Sequence, residues 1–422
     1  MFLWYNHIVR RDSMIHILRS EIDGLTLFKD KKVMFDLVAE KNVTEDDVLN
    51  GNVMRIDDLI DKLNTIALVG SNATGKTTQL RLIKMVISVF LALDSLNEFE
   101  NLADQFEDTF RFTNYFYNAK TLYKVESAVK KTTDGDFAFI EETIYSKKVY
   151  PSHKKSELFN FDLTKRGQQE LLRRSSLPDE ITAFLRDDDT IFSTIVRKIM
   201  NNKVQDIVID EIDMTNKNKL TTKEKIPVEY IKYFDPSIES IRILSKDVPS
   251  EKMNVEVTFK NDSIIQVPLI ELSNYLSSGT IKGINLFIDI EKTLKNGGYL
   301  IIDEIENHLH KSIIMNIIQL FANSLNKNGA TLIFSTHYSE IIDMVPRTDM
   351  IYVATKEENL IQFKKMSQGL GDQDRNDKKK SEVLLSGKLS NTPTYKDLKR
   401  VRAKLRSAVS ETSSGSDGGA GE

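Results

Sequence analysis

The chain contains no cysteine. That excludes disulfides, a thiolate nucleophile, iron–sulfur clusters and cysteine-ligated zinc, and it agrees with a reducing compartment. Long apolar runs are also missing. The start Met1–Tyr5 is apolar but gives way to His7, Arg10, Arg11 and Asp12, too short for a secretory core and far too short for a membrane span. The run Val86–Leu93 falls inside a helical pattern and is expected in the core. Neither sign of charge dominates: 58 Lys and Arg stand against 62 Asp and Glu, a net charge of −4. No global positive field advertises nucleic acid, although basic residues can gather on one face in the fold. Fixed-period repeats and long heptad arrays are absent too. A soluble cytoplasmic protein, with no membrane partner, is expected.

What is present is 422 residues, 40% hydrophobic and 28% charged, enough for two or three domains with a sizeable core. The stretch that organises the rest is Gly70, Ser71, Asn72, Ala73, Thr74, Gly75, Lys76, Thr77, Thr78. It follows the apolar strand Thr65–Val69 and opens into a helical pattern from Gln79 to Leu91, the strand–loop–helix context that GxxxxGK[ST] requires. Backbone N–H groups of such a loop cradle phosphate oxygens, Lys76 can reach the outer phosphates, and Thr77 can offer a hydroxyl to Mg2+.

Ahead of the loop, Ile15, Ile17, Val33, Phe35 and Leu37 alternate as a strand pair. Thr44–Val48 has a capped helical turn with Thr44 and Asp47, and Ile56–Leu63 reads as a connector. Beyond it, Leu122–Val129 and Phe137–Tyr145 flank Asp134-Gly135 as a hairpin, and Leu158–Leu163 is strand-like. Residues 170–216 carry helical spacing, with a charged linker to Lys225. Val228–Phe234 begins a helix, Val255–Phe259 and Ile264–Val267 form a second hairpin, and strands at Tyr299–Ile302 and Thr331–Phe334 alternate with helices. Lys378–Lys404 forms a basic coda, and the Ser-, Gly- and acid-rich Glu411–Glu422 is expected to be disordered.

Three further pieces can complete a nucleotide site. Tyr299–Ile302 ends in Asp303, able to hold Mg2+, and Glu304, able to polarise a water. His337 follows the strand Thr331–Phe334 and can hydrogen-bond a terminal phosphate or the attacking water. Ser277, Ser278 and Gly279 precede a helix and make a second phosphate-binding surface, which can serve a neighbouring subunit's nucleotide.

In order, GSNATGKT (Gly70–Thr77), LSSGT (Leu276–Thr280), YLIIDE (Tyr299–Glu304), ENHLH (Glu306–His310) and STH (Ser335–His337) resemble the ABC-type ATPases, in particular their SMC-like and OLD-like branch. The closer resemblance is to stand-alone AAA-family ATPases of bacterial anti-phage and abortive-infection systems, including retron- and PARIS-like ATPase components. It implies an α/β P-loop NTPase with a three-layer core, an antiparallel β lobe and an inserted, mostly helical arm. The expected division is 14–169 and 226–365 for the two parts of the ATPase core, 170–225 for the arm, 366–410 for a basic extension and 411–422 for the tail. The resemblance further implies ATP and Mg2+, Glu304 as catalytic base, His337 as switch histidine, Thr77 and Asp303 at the metal, Ser278 and Gly279 facing a partner's ATP, and Glu306–His310 at a dimer seam. SSG departs from the usual SGG. The glutamine that links the two lobes is not assigned among Gln105, Gln168 and Gln169, nor is an adenine-stacking aromatic.

The expected function is a sensor or scaffold ATPase, a homo-oligomer (a dimer or a multiple of dimers), that controls a separate effector such as a nuclease or toxin in anti-phage defence. A DNA-repair-like or transport-partner ATPase is the alternative, and a nucleotide-binding structural protein a third. Asp187–Asp189 read as a helix boundary rather than a metal site. Asp210, Glu211 and Asp213 resemble a strand-tip acidic pair but follow a less apolar strand than Asp303-Glu304. Phe110, Phe112, Tyr115, Phe116 and Tyr117 read as core before nucleobase stacking. Lys147, Lys148, Lys154, Lys155, Lys165, Arg166, Arg173 and Arg174 suggest a local positive surface open to nucleic acid.

Overall fold

A computed structural model describes residues 14–200, 207–213, 219–221, 225–244, 253–307, 309–370, 379–384 and 395–413. In chain order the strands are β1 (His16–Leu25), β2 (Lys32–Asp36), β3 (Val53–Asp57), β4 (Ile60–Leu63), β5 (Thr65–Val69), β6 (Phe106–Asn118), β7 (Thr121–Lys131), β8 (Phe137–Lys148), β9 (Gln168–Arg173), β10 (Val208–Asp210), β11 (Ile238–Ile243), β12 (Asn254–Phe259), β13 (Ile264–Pro268), β14 (Tyr299–Ile302), β15 (Thr331–Thr336), β16 (Ile351–Glu357) and β17 (Leu360–Lys365). The helices are α1 (Glu45–Leu49), α2 (Lys76–Ile87), α3 (Asp179–Thr182), α4 (Ser193–Met200), α5 (Val228–Phe234), α6 (Ser278–Asn296), α7 (Lys311–Phe321), α8 (Met366–Leu370), α9 (Lys380–Val383) and α10 (Tyr395–Ser413).

Two six-stranded sheets carry the fold. One runs β10-β14-β15-β5-β16-β17, parallel except for β17; the other, β2-β1-β6-β7-β8-β9, is antiparallel. Tyr299–Ile302 and Thr331–Thr336 are buried at every position, as strands covered on both faces must be. Helix α2 lies between the sheets. Leu80, Leu82, Ile83, Met85, Val86 and Ile87 are all buried, leaving Arg81 and Lys84 as its partly exposed polar stripe. A π turn (Ser88–Ala92) extends it, and there Phe90 packs edge-on against Phe112 and Phe139 of the antiparallel sheet. A second, smaller core joins β11, β12 and β13 to α5 and α6 through Ile231, Ile238, Val255, Val257, Ile281 and Ile284.

Several expectations hold. Thr44 and Asp47 form a reciprocal capping box on α1, and Gly135 takes φ +93° in the β7–β8 turn. Phe110, Phe112, Tyr115, Phe116 and Tyr117 are core residues. Others are corrected. Ile56–Leu63 is not a connector, because β3 and β4 pair as a hairpin there. Leu158–Leu163 is no strand: Lys147 Nζ donates to the Glu157, Leu158 and Asn160 carbonyls, spending backbone acceptors that a ladder would need. That same bonding buries Lys147, which therefore adds nothing to a positive surface. Within 170–225 the described helices are short, and the segment is tied to both sheets, through β9 beside β8 and β10 beside β14. Asp188 is buried, with Ser95 hydrogen-bonded to it. Met1–Ser13 and 414–422 lie outside the described residues, while Glu411–Ser413 end α10.

Candidate functional site

Register aligns the ends of three strands. Ile302 pairs with Phe334, and Thr336 pairs with Val69, so Asp303, His337 and Gly70 all emerge at the C-terminal edge of the parallel sheet. That edge is where open α/β sheets bind ligands. Gly70 leads into the loop. Gly75, at φ +87°, caps α2, and Ala73 is also left-handed at φ +60°. A side chain at Gly75 would run into Ile361, which explains the glycine there on steric grounds as well as conformational ones.

Among the described residues no side chain caps α2. The N–H groups of its first turn therefore stay available to an anion, reinforced by the helix dipole. The Lys76 ammonium closes over the loop and donates to the carbonyls of Gly70 (2.7 Å) and Ser71 (2.8 Å). Burial lowers its pKa, opposed by Asp303, Glu306 and Glu304. Thr74 Oγ1 donates to Ser71 O at 2.8 Å and braces the turn.

Thr77 Oγ1 donates to Asp303 Oδ2 at 2.6 Å. A hydroxyl and a carboxylate in contact at the foot of a phosphate-binding helix are hard oxygen donors suited to Mg2+, which commonly takes one or two carboxylates with substrate phosphates. Ser335, for which the sequence suggested no separate role, joins the two acidic residues. Its hydroxyl donates to Asp303 Oδ1 and accepts from the Glu304 N–H (2.8 Å). Ser335 lies within β15 beside the end of β14, a neighbourhood that only the sheet pairing reveals.

Glu304 sits at φ +49°, an unusual backbone state for a residue with a side chain. Its Oε1 lies 2.7 Å from His337 Nε2, while His337 Nδ1 lies 3.1 Å from Lys76 Nζ. Glu306 Oε1 accepts from the His337 backbone N–H at 2.6 Å and holds the main chain there. The structure thus brings Lys76, Thr77, Asp303, Glu304 and His337 into one cluster.

Ser277, Ser278 and Gly279 are held elsewhere. Ser277 caps α6, accepting from the Thr280 N–H at 3.0 Å, and α6 belongs largely to the second core. Gly283, one turn on, is pressed against the Phe234 ring, so that α5 and α6 touch closely. Asp210 and Asp213 do not duplicate Asp303-Glu304: they pair with Lys84 and Arg81 of α2 (2.5 and 2.9 Å) and anchor the edge strand to the phosphate-loop helix. Of the glutamines, Gln168 is committed to the Asp162 N–H, and Gln105 ends a 3-10 segment with its side-chain oxygen unpartnered among the described residues. His310 caps α7.

Fold and site together define an α/β P-loop ATPase-type protein. The family model described as "AAA domain, putative AbiEii toxin, Type IV TA system" matches residues 66–343, well over half of the chain. The chain belongs to that family, and membership implies ATP binding and hydrolysis. No curated protein matches it. Among solved structures it is similar to the SMC head domain from Thermotoga maritima (9% identity, TM-score 0.40, covering 83% of this chain and 98% of that one). It is also similar to an Smc head domain with coiled coil and joint derived from Pyrococcus yayanosii (10%, 0.42, 86% and 100%) and to the recombination mediator protein RecF (9%, 0.35, 83% and 98%). Among the described residues no helix is long and apolar enough to cross a membrane.

Proposed function

We propose that ATP is bound and cleaved at a composite site between two copies of this chain. One copy supplies Gly70–Thr78, Asp303, Glu304 and His337, and the other presents Ser277, Ser278 and Gly279 at the start of α6. The observation that carries this is the hydrogen-bonded run Lys76–His337–Glu304, which couples the phosphate loop to a carboxylate. The separate seating of Ser277–Gly279 on the second core supports a partner-facing role.

On this reading the free N–H groups of α2 and the Lys76 ammonium bind the phosphates. Thr77 and Asp303 hold Mg2+, which when bound neutralises phosphate charge. Glu304, aimed by His337, takes the proton of the attacking water, and Ser335 keeps Asp303 and Glu304 in fixed relation.

The ATPase acts as a sensor or scaffold that restrains a separate nuclease or toxin in anti-phage defence, a setting supported by the toxin and type IV TA wording of the family description. The alternative, an engine that engages nucleic acid, has in its favour the exposed Lys148, Lys154, Lys155, Lys165, Arg166 and Arg173 on and around β8 and β9. The test is ATP turnover and assembly mass for the native chain and Glu304→Gln. Slow turnover with a stabilised ATP-dependent oligomer is expected. Undiminished turnover, or ATP leaving the mass unchanged, defeats the composite site.

A further inference from the structure

Beside the Glu304–His337 pair an apolar groove opens between α7 and the 3-10 segment Ser339–Met344, where Leu309, Ile314, Tyr338 and Ile341 meet Glu306, Lys311 and Glu340. Tyr338 is 59% exposed there, and the second carboxylate oxygen of Glu306 has no partner among the described residues. The exposed Tyr338 ring over the buried Ile314 and Ile341, with Glu306 and Glu340 outnumbering Lys311 around it, suits an amphipathic, basic occupant.

The chain itself carries one. Helix α10 holds Lys396, Lys399, Arg400, Arg402, Lys404 and Arg406 against Asp397 and Glu411, and its Leu398, Val401 and Leu405 form a stripe at i, i+3 and i+7. Those three are 45%, 55% and 59% exposed, an apolar face left without cover. The chain also keeps α10 within reach of the groove. Helix α9 is pinned to the wall of the groove, since Ser381 donates from N–H (2.9 Å) and from Oγ (2.6 Å) to Asp343. Only residues 385–394 separate α9 and Leu384 from α10. Ten residues span up to roughly 35 Å, and so short a tether gives an effective concentration on the order of millimolar.

We propose that α10 docks in this groove of its own chain, apolar stripe inward and cations toward Glu306 and Glu340, and that the docked state slows ATP turnover. The second half rests on the composite-site reading. A helix lying over Glu306 and Tyr338 covers the segment that would meet a second subunit and fixes the residues that hold His337.

The absence of cysteine makes the test clean. Lys311→Cys with Arg402→Cys in the full chain, treated with a short bis-maleimide, is expected to cross-link within one chain. Leu398→Asp with Leu405→Asp, or Glu340→Lys, should abolish most of that product. No product, or product only at twice the chain mass, overturns docking in cis. In the chain without added cysteines, Leu398→Asp with Leu405→Asp should raise ATP turnover several-fold, and unchanged turnover overturns the regulatory half. Loss of all ATPase activity in the native chain would strike the composite site instead, while the cross-link would still report docking.

Discussion

The Nε2 of His337 lies 2.7 Å from Oε1 of Glu304, and the opposite ring nitrogen lies 3.1 Å from the Lys76 ammonium. One neutral tautomer satisfies both contacts, with Nε2–H donating to the carboxylate and Nδ1 accepting from the lysine. The ring therefore bridges the phosphate loop and Glu304.

Replacing His337 by alanine should leave Glu304 able to rotate away and Lys76 without its third acceptor. Turnover is expected to fall by about 100-fold, at the lower end of what positioned acid–base groups contribute, with a smaller change in KM for ATP. Steady-state kinetics on His337→Ala and His337→Gln check this. A KM effect alone would mean that the ring serves nucleotide binding only.

Ser335→Ala removes the hydroxyl that links Asp303 to the Glu304 N–H, leaving a partly buried donor unsatisfied. The cost should be about 1–3 kcal/mol of stability, together with a loss of turnover, because Glu304 keeps its φ of +49° only under external restraint. Denaturant melts and ATPase assays measure the two losses. An unchanged melt would show that water replaces the hydroxyl fully.

The site's parts lie where chain order is informative: an apolar strand, then Gly70–Thr77, Asp303-Glu304 or His337. Period and turn chemistry made β5, β14, β15, the β7–β8 hairpin and the α1 capping box legible, because each is settled by neighbours in sequence. Side-chain bonding across the fold was not. Lys147 looks like surface charge until the three carbonyls it binds are known, and Ser335 acquires its role only when β15 lies beside β14. Likewise Asp210 resembles a site residue by pattern, yet Lys84, far along the chain, takes it up as an anchor.

Gly283→Ala tests the packing that presents Ser277–Gly279. Its new methyl group would overlap the Phe234 ring, and overpacking of this kind costs roughly 1–3 kcal/mol. Adding Phe234→Leu should recover much of the loss by opening space. If the double variant is no more stable than Gly283→Ala, the α5–α6 contact is not the constraint.

Glu142 supplies a pH signature away from the nucleotide site. It is wholly buried, and burial pushes its carboxyl up to about 7 from an ordinary 4.5, against the opposing pull of Thr190, the Ile191 N–H (2.8 Å), Arg174 (3.7 Å) and Ser127 (3.2 Å). Between those two values the folded chain holds a proton that the unfolded chain has released. Stability from this group is therefore full below about pH 4.5, declines as pH rises to about 7, and is level above, a total of about 3 kcal/mol. Glu142→Gln cannot ionise, so its stability relative to the native chain should improve progressively from pH 5 to pH 7. Urea melts of both proteins across pH 5 to 8 measure the gap, and a gap that stays constant would show that Glu142 is already ionised in the fold at pH 5.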